Sequence, residues 1–377
     1  MRGVRHAAAT GVCGTLLFCL VACDDLVLGP PPGGATGASG GAASSGAGAE
    51  GGGGPCTFGE GRCAGPHGNG IEICDETGTW GGSVLCEAAC SGGACVSPPS
   101  CNGSLQCGSN ESCCASYLVP GGTFARSYDA AGYDNDSFHA TVSSFLLDRY
   151  EVTVGRFRNW VAAYDQSGAK PQPGSGANPA NPADMGWDSQ WDAALPSNKA
   201  ALLGSLACGA ASWTTSPGSN EDKPINCIDW YIAGAFCIWD GGRLPTEAEW
   251  NYAAAGGDEQ RAYPWSTPPQ FKQIGPRYAV YSTTALAPVG SIVGSGDGKW
   301  GQRDLGGNVW EWVQDYFVDP YASTVCIDCA MLSPTERRTY RGGGYSSSAA
   351  SVRVAYRESA DPDGEAQSLG VRCARTP

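Results

Sequence analysis

Cysteines constrain the folding of this chain most strongly, because ten of the nineteen crowd into residues 56–114. This segment is rich in Gly and turn residues and poor in apolar runs. A segment of about 60 residues buries too little apolar surface to be stable unaided, so we expect disulfides to hold it together. A zinc site is the alternative, although the paired C-x₂-C knuckles typical of such sites are missing from the segment.

The cysteine spacing divides this region into a six-cysteine module at 56–95 and a four-cysteine connector at 101–114. Six cysteines allow 15 pairings, and spacing does not choose among them. Six more cysteines follow in a longer, Trp-rich region, and two of these form the C-x-x-C of Cys326 and Cys329. No βαβ pattern surrounds that C-x-x-C, so we expect a structural disulfide there. An oxidising compartment outside the cytoplasm follows from the whole set.

The N-terminus is typical of a bacterial secretion signal. Arg2 and Arg5 precede a short apolar stretch at 11–22, which is too short for a membrane span of about 20 residues. The stretch ends in the letters LVAC, which resemble a lipobox with Cys23 as the lipidated residue. Ordinary signal cleavage is the alternative. The lipobox predicts a protein of the cell envelope, anchored in a membrane outside the cytoplasm.

Four regions follow from these patterns. Residues 1–23 are the signal, and 24–55 form a Gly/Ala/Ser/Pro-rich linker that cannot build a core. The Cys-rich module occupies 56–118, and 119–377 form one large domain. The net charge of −14, without clustered Lys and Arg, excludes nucleic acid as a partner. The arginines of 337–375 run against this acidic balance, so we expect them to pair with acids elsewhere in the domain.

Secondary structure in the large domain is predicted to be mixed and sparse. Thr153 is placed to cap a helix with an apolar face, after a strand at 145–148, and Asp229 to cap a second helix that ends at Gly241. Thr246 opens a third helix with a capping-box pattern. Residues 168–198 are a Pro-, Ser- and Asn-rich loop, and the last 120 or so residues have few helical patterns. Short helices among short strands and long loops indicate an α+β fold.

Seven short motifs within the large domain occur in an order that resembles one family. They are LVPGGTF at 118–124, DRYEVT at 148–153, PINCIDW at 224–230, GRLPTEAEW at 242–250, GNVWEW at 307–312, RGGGY at 341–345 and LGVRC at 369–373. The family is that of the formylglycine-generating enzyme, or sulfatase-modifying factor. The resemblance implies a compact C-type-lectin-like fold with little regular secondary structure, here preceded by the small disulfide-rich module.

The enzyme of this family oxidises a sulfatase cysteine to formylglycine with a copper(I)-binding cysteine pair. Soft thiolates suit copper(I), so that chemistry depends on the residue type. The positions that match the pair are Ser347 and Val352, and no cysteine lies between Cys329 and Cys373. We therefore expect no copper and no catalytic residues of this kind. A related branch with a three-His iron site is excluded too, since His139 is the only histidine in 119–377.

The resemblance also implies a calcium site in the GNVWEW turn. Carried over residue by residue, its ligands are the side chains of Asp304 and Glu311 and the backbone carbonyls of Gly307 and Val309. Calcium takes carboxylate and carbonyl oxygens together, so the set is chemically sensible. The alternative is that the two carboxylates only cap turns and pair with arginine.

Three functions remain open on these grounds. The first is a lipid-anchored binding module without catalysis that recognises a protein or glycan, with Trp187, Trp191 and Trp213 as candidate contacts or, alternatively, core residues. The second is a formylglycine-generating-type oxidase that acts on protein cysteine through a non-standard site. The third is a structural component of the envelope. We expect the first.

Overall fold

The computed structural model of the chain describes residues 56–65, 70–81, 84–86, 89–101, 105–108 and 111–377. The predicted signal, the lipidated Cys23 and the predicted linker lie outside the described residues. Within the described part, no helix has both the length and the apolar character that crossing a membrane requires.

Short helices begin where the sequence places their caps. The α-helices are α1 (Val154–Ala163), α2 (Lys199–Ser205), α3 (Trp230–Trp239) and α4 (Glu247–Ala255). Thr153 accepts a hydrogen bond from the Arg156 amide and Asp229 from the Ile232 amide, as the caps of α1 and α3. Both halves of the predicted capping box of α4 are present, and Gly256 ends that helix in the left-handed conformation. These three predicted helices are confirmed.

Short 3₁₀-helices add to these helices at Pro99–Cys101, Ser189–Ala194 and Gly257–Glu259. The turn Ser189–Ala194 lies inside the predicted loop at 168–198. Asp188 explains it, because its side chain accepts a hydrogen bond from the Gln190 amide and so caps the turn.

Seventeen short strands make up the sheets of the described residues. They are β1 (Gly61–Ala64), β2 (Gly70–Ile73), β3 (Val84–Leu85), β4 (Ala89–Ser91), β5 (Ala94–Val96), β6 (Gln106–Cys107), β7 (Glu111–Ser112), β8 (Ser116–Val119), β9 (Gly122–Ala125), β10 (His139–Val142), β11 (Phe145–Asp148), β12 (Trp310–Tyr316), β13 (Val325–Ile327), β14 (Arg338–Arg341), β15 (Glu358–Ala360), β16 (Leu369–Gly370) and β17 (Ala374–Arg375). The predicted strand at 145–148 is β11. The predicted α+β class is thereby confirmed.

The sheets of the large domain join distant parts of the chain. Strand β11 pairs antiparallel with β8 and β17, so that the start and the end of the domain meet. A second sheet has the order β13-β10-β9, and a third has the order β15-β14-β12-β16. The Cys-rich region contributes a three-stranded sheet and two hairpins of its own. Strand β8 crosses the predicted boundary between residues 118 and 119, so the two regions share one sheet.

Two large apolar clusters make up most of the core of the large domain. One surrounds α1 and α3 and contains the fully buried indoles of Trp160, Trp230 and Trp312. The other lies between α4 and the first strands and contains Trp250. Trp187 is buried in the first cluster, while Trp191 and Trp213 pack against it. Core packing therefore accounts for the three tryptophans that the sequence offers as candidate ligand contacts.

Every cysteine of the described residues is paired. The disulfides are Cys56–Cys74, Cys63–Cys90, Cys86–Cys95, Cys101–Cys114, Cys107–Cys113, Cys208–Cys227, Cys237–Cys373 and Cys326–Cys329. The predicted grouping is confirmed, since the six-cysteine module and the four-cysteine connector each pair internally. The C-x-x-C closes on itself, as the sequence indicates for a structural disulfide.

The arginines near the C-terminus pair with acids far away in the sequence, as predicted. Arg372 pairs with Glu311, Arg353 with Asp129, and Arg357 with Glu247. Arg337 and Arg338 are the exceptions among the described residues. Arg337 donates to the Ser359 carbonyl, and the guanidinium of Arg338 lies between the rings of Trp230 and Tyr316, 3.6 and 3.4 Å from their centroids. These buried pairs connect the last segment of the chain to the middle of the domain.

Candidate functional site

The two positions that match the family's cysteine pair have separate structural tasks. The Ser347 hydroxyl accepts a hydrogen bond from the Gly344 amide at 2.9 Å, and the Ser347 carbonyl accepts one from the Ser282 amide at 3.0 Å. Val352 is 1 % exposed and packs in a small apolar cluster with Tyr263. One position therefore stabilises a turn and the other fills a core.

No cysteine of the described residues offers a free thiol to that turn. Cys326 and Cys329 are bonded to each other, and Cys329 lies 3.9 Å from a terminal nitrogen of Arg126. The hydroxyls of Ser348 and Ser351 lie 3.3 Å apart, so each has the other as its partner. His139 is an exposed residue of β10, as expected for a strand histidine.

Asp304, the first predicted calcium ligand, lies in the turn before β12. It is 8 % exposed, and its carboxylate accepts a hydrogen bond from the Gly290 amide at 2.5 Å. Burial raises the pKa of Asp304 to about 6. In the same turn, Gly307 has a φ of +104°, and a Cβ there would lie 2.6 Å from the Val280 carbonyl oxygen. The turn therefore requires glycine at 307.

Glu311, the other predicted carboxylate ligand, already has three donors. It accepts hydrogen bonds from Nε and Nη2 of Arg372, each at 2.7 Å, and from the Trp250 indole at 2.7 Å. Glu311 and Arg372 are both fully buried. Within the described residues, no group of three or more His, Cys, Asp or Glu side chains is arranged to share a metal ion. The predicted calcium set is of another kind, because two of its four ligands are backbone carbonyls.

A third buried carboxylate, Glu151, joins these two and was not identified from the sequence. It accepts hydrogen bonds from the Asn308 side-chain amide at 2.6 Å and from the Val309 backbone amide at 3.0 Å. Burial, followed by the nearby charges of Asp304 and Glu311, raises the pKa of Glu151 well above its usual value. Its place in the DRYEVT motif was the available signal. Three carboxylates therefore surround the GNVWEW turn. Arg372 pairs with one of them, Glu311, while the nearby Arg303 pairs with Asp297.

A surface cleft of about 310 Å³ is the second candidate site, and the sequence did not reveal it. Its walls come from three separate segments, residues 126–138, 317–321 and 355–357. Five aromatic rings line it, those of Tyr133, Phe138, Phe317, Tyr321 and Tyr356, together with the guanidinium groups of Arg126 and Arg357. Arg126 directly follows β9, whose strand pairing fixes its position beside the rings.

Comparison with known proteins extends over the large domain. A family model described as "Sulfatase-modifying factor enzyme 1-like domain" matches residues 105–377. A "Formylglycine-generating enzyme" from Streptomyces coelicolor is 32 % identical over 293 residues, which are 68 % of this chain and 87 % of the relative. An "Inactive C-alpha-formylglycine-generating enzyme 2" from Bos taurus is 28 % identical over 286 residues, 68 % and 86 % of the two chains.

Among solved structures, PvdO from Pseudomonas aeruginosa is similar with 21 % sequence identity and a TM-score of 0.49. The match covers 70 % of this chain and 94 % of that one. Proteins named for the enzyme activity and proteins named as inactive thus both occur among the relatives of this chain.

Proposed function

Given that the chain belongs to the sulfatase-modifying factor enzyme 1-like domain family, we propose that it is a non-catalytic, ligand-binding member anchored outside the cytoplasm by a lipid on Cys23. It has the compact C-type-lectin-like α+β fold of that family, with little regular secondary structure, behind a disulfide-rich N-terminal region. Fold alone does not decide function, so the proposal rests on the site.

The proposal rests on the residues that occupy the two positions of the family's cysteine pair. Ser347 offers a hydroxyl held by a turn, and Val352 offers an isopropyl group held in a core. Every cysteine of the described residues is in a disulfide, so that part of the chain supplies no thiolate for copper(I). The residues present do not fit the copper ion of the family enzyme.

Oxygen uptake tests the absence of catalysis. The purified full chain is loaded with copper(I) and given a cysteine peptide of the sulfatase type, with the Streptomyces coelicolor enzyme as the positive control. We expect no peptide-dependent oxygen uptake and no aldehyde product from this chain. Turnover above the copper-only background would overturn the proposal.

Lipid anchoring has its own test. Detergent phase partitioning of the wild type and of Cys23→Ala compares the two cleavage routes. A lipidated Cys23 places the wild type in the detergent phase and the variant in the aqueous phase. Equal partitioning of the two proteins would favour ordinary signal cleavage instead.

Calcium at the GNVWEW turn belongs to the same proposal. Asp304 and Glu311 with the carbonyls of Gly307 and Val309 are the proposed ligands. Three buried carboxylates lie close together there, and burial, followed by the charges of Asp304 and Glu311, raises the pKa of Glu151; this grouping of oxygen ligands supports a divalent cation. Glu311 would share its oxygens between the ion and Arg372. The ion would stabilise the turn, so that added calcium should raise the unfolding midpoint of the protein.

A further inference from the structure

Arg126 brings to the aromatic cleft a positive charge that forms no ion pair among the described residues. The residue is 6 % exposed, and among the described residues it has no carboxylate within ion-pair distance. Burial lowers the pKa of Arg126, and guanidinium groups remain protonated at neutral pH even so. In a chain with a net charge of −14, a buried cation without an acid beside it is a marked local departure.

Arg126 also has donors to spare. Its Nε donates to the Phe138 carbonyl at 3.3 Å, one Nη2 hydrogen goes to the Ser323 carbonyl at 2.6 Å, and one Nη1 hydrogen points to the Cys329 sulfur at 3.9 Å. A guanidinium carries five N–H donors. One N–H on each terminal nitrogen is therefore left over, and each can donate a charge-assisted hydrogen bond to a carboxylate.

The acids near the cleft are engaged elsewhere. Glu247 receives both Nε and Nη2 of Arg357, at 2.6 and 2.9 Å, and Arg341 lies 3.2 Å from it. Asp319 is 75 % exposed at the rim and lies 3.9 Å from Arg357. Arg357 thus has carboxylate partners of its own. Glu247 and Asp315 lie near enough to act on the charge of Arg126, but neither forms an ion pair with it, so Arg126 can still pair with the carboxylate of a ligand.

The aromatic rings and the volume of the cleft indicate what the rest of that ligand is, apart from its carboxylate. The rings of Phe138 and Tyr321 lie 5.5 Å apart and are tilted by 57°. Tyr321 lies under both guanidinium groups, 4.2 Å from Arg126 and 3.8 Å from Arg357. A cleft of about 310 Å³ lies at the small end of ligand sites and suits one ring with its substituents.

We propose that this cleft binds a small organic carboxylate carried on a ring-sized body, with the carboxylate on Arg126 and the ring between the aromatic side chains. The inference rests on the non-catalytic function proposed above and names the ligand class. Two sources supply this chemistry, namely acidic sugars and aromatic acids.

Titration calorimetry of the full chain with two matched pairs of probes tests the inference. The pairs are D-glucuronate with D-glucose, and phenylacetate with phenylacetamide, so that each acid has a neutral partner of the same body. We expect at least one acid to bind roughly tenfold or more tightly than its neutral partner. The pair that shows this difference identifies the source. Equal binding within both pairs, or no binding of either acid, would overturn the inference.

Variants place the binding in the cleft. Arg126→Gln is expected to weaken the acid roughly tenfold, and Arg126→Lys less, because it keeps the charge but loses the two-pronged geometry. Since Arg126 is buried, Asn135→Trp is the second variant. Asn135 is exposed and lines the cleft, so a large ring there fills the site without disturbing the core. Arg277→Gln removes an exposed charge outside the cleft and is the control.

The two proposals fail separately. A folded Arg126→Gln or Asn135→Trp protein with wild-type affinity would overturn the cleft assignment and leave the absence of copper oxidation untouched. Oxygen uptake, measured on the same preparation, would overturn the non-catalytic function whatever the calorimetry shows.

Discussion

Replacing Asp240 by asparagine unbalances a buried network of four charges. The Asp240 carboxylate accepts hydrogen bonds from Nη2 of Arg156 at 2.6 Å and from Nη2 of Arg375 at 2.7 Å. Asp148 accepts from the Nη1 atoms of the same two arginines. All four side chains are between 0 and 6 % exposed, and their charges sum to zero. The network also reaches the Cys-rich region, because the Ser100 amide donates to Asp240 at 3.0 Å.

The expected loss of stability is large for a substitution that replaces one carboxylate oxygen by an amide nitrogen. Asp240→Asn leaves one positive charge buried without compensation and turns an amide N–H toward donors. Breaking a buried ion pair in this way costs roughly 3–5 kcal/mol of unfolding free energy. At roughly 2–4 °C per kcal/mol for a large domain, the midpoint of thermal unfolding should fall by roughly 6–20 °C.

Differential scanning calorimetry under non-reducing conditions measures this loss. Glu221→Gln is the matched control, since it also removes one carboxylate from an arginine, but the pair of Glu221 with Arg158 is 21 % and 17 % exposed. A pair of that kind contributes roughly 0–1 kcal/mol. If Asp240→Asn lowers stability no more than Glu221→Gln does, the four charges do not act as a buried network.

A double variant separates charge balance from lost contacts. Asp240→Asn with Arg375→Met leaves one acid and one arginine, so the buried charge again sums to zero. We expect this protein to be less destabilised than the sum of the two single variants. Strict additivity would contradict the role of charge balance.

Four further predictions concern other parts of the domain. Calcium at 100 times its Kd should add about 2.7 kcal/mol to the free energy of unfolding, which raises the unfolding midpoint by roughly 5–10 °C. Asp304→Ala should abolish this rise, whereas the exposed Asp258→Ala should keep it. Equal rises in the two variants would argue against the site. Burial raises the pKa of Asp315 to about 7, so its folded form favours the proton. Its contribution to stability is complete below about pH 4 and is lost as the pH rises through 7. Urea unfolding at pH 5 and pH 8 should therefore show a decrease that is smaller in Asp315→Asn, where Asp304 and Glu151 with their raised pKa values remain; equal decreases in the two proteins would refute this. Removing the Cys237–Cys373 disulfide, whose cysteines are 136 residues apart, should lower the free energy of unfolding by about 5 kcal/mol, because the disulfide limits the entropy of the unfolded chain. Removing Cys326–Cys329, whose cysteines are three residues apart, should lower it by only about 2 kcal/mol. Urea unfolding midpoints in the reverse order would contradict this prediction. Gly307→Ala should destabilise the fold by roughly 2 kcal/mol or more in the same assay, because its Cβ meets a carbonyl, while Gly294→Ala, also at positive φ but with nothing within 4 Å, is the control that should lose less.

Local patterns in the sequence predicted the helices well, because a cap acts within one turn. The side chains of Thr153, Asp229 and Thr246 each accept a hydrogen bond from the backbone amide three residues ahead. Both partners of each hydrogen bond are therefore close together in the sequence. The Ser189–Ala194 turn followed the same rule through Asp188 but was missed within a segment rich in loop residues.

Chemistry that depends on residue type was also predictable. The loss of the cysteine pair is visible at positions 347 and 352 before any coordinates are known, since no arrangement of Ser and Val supplies a thiolate. The position of the GNVWEW turn was predictable too. Its third carboxylate, Glu151, was not, because 157 residues separate it from the Asn308 amide that it bonds.

By itself, then, the sequence determined the α+β class, the helix starts, the grouping of the cysteines and the missing thiol pair. Only the tertiary structure decided which cysteines pair, that Glu311 binds Arg372, and that Arg126 stands without an acid in an aromatic cleft. The physical reason is range: caps and residue types act within a few positions of the chain. Ion pairs, disulfides and clefts instead depend on long-range packing, which brings residues 126, 321 and 356 to one place.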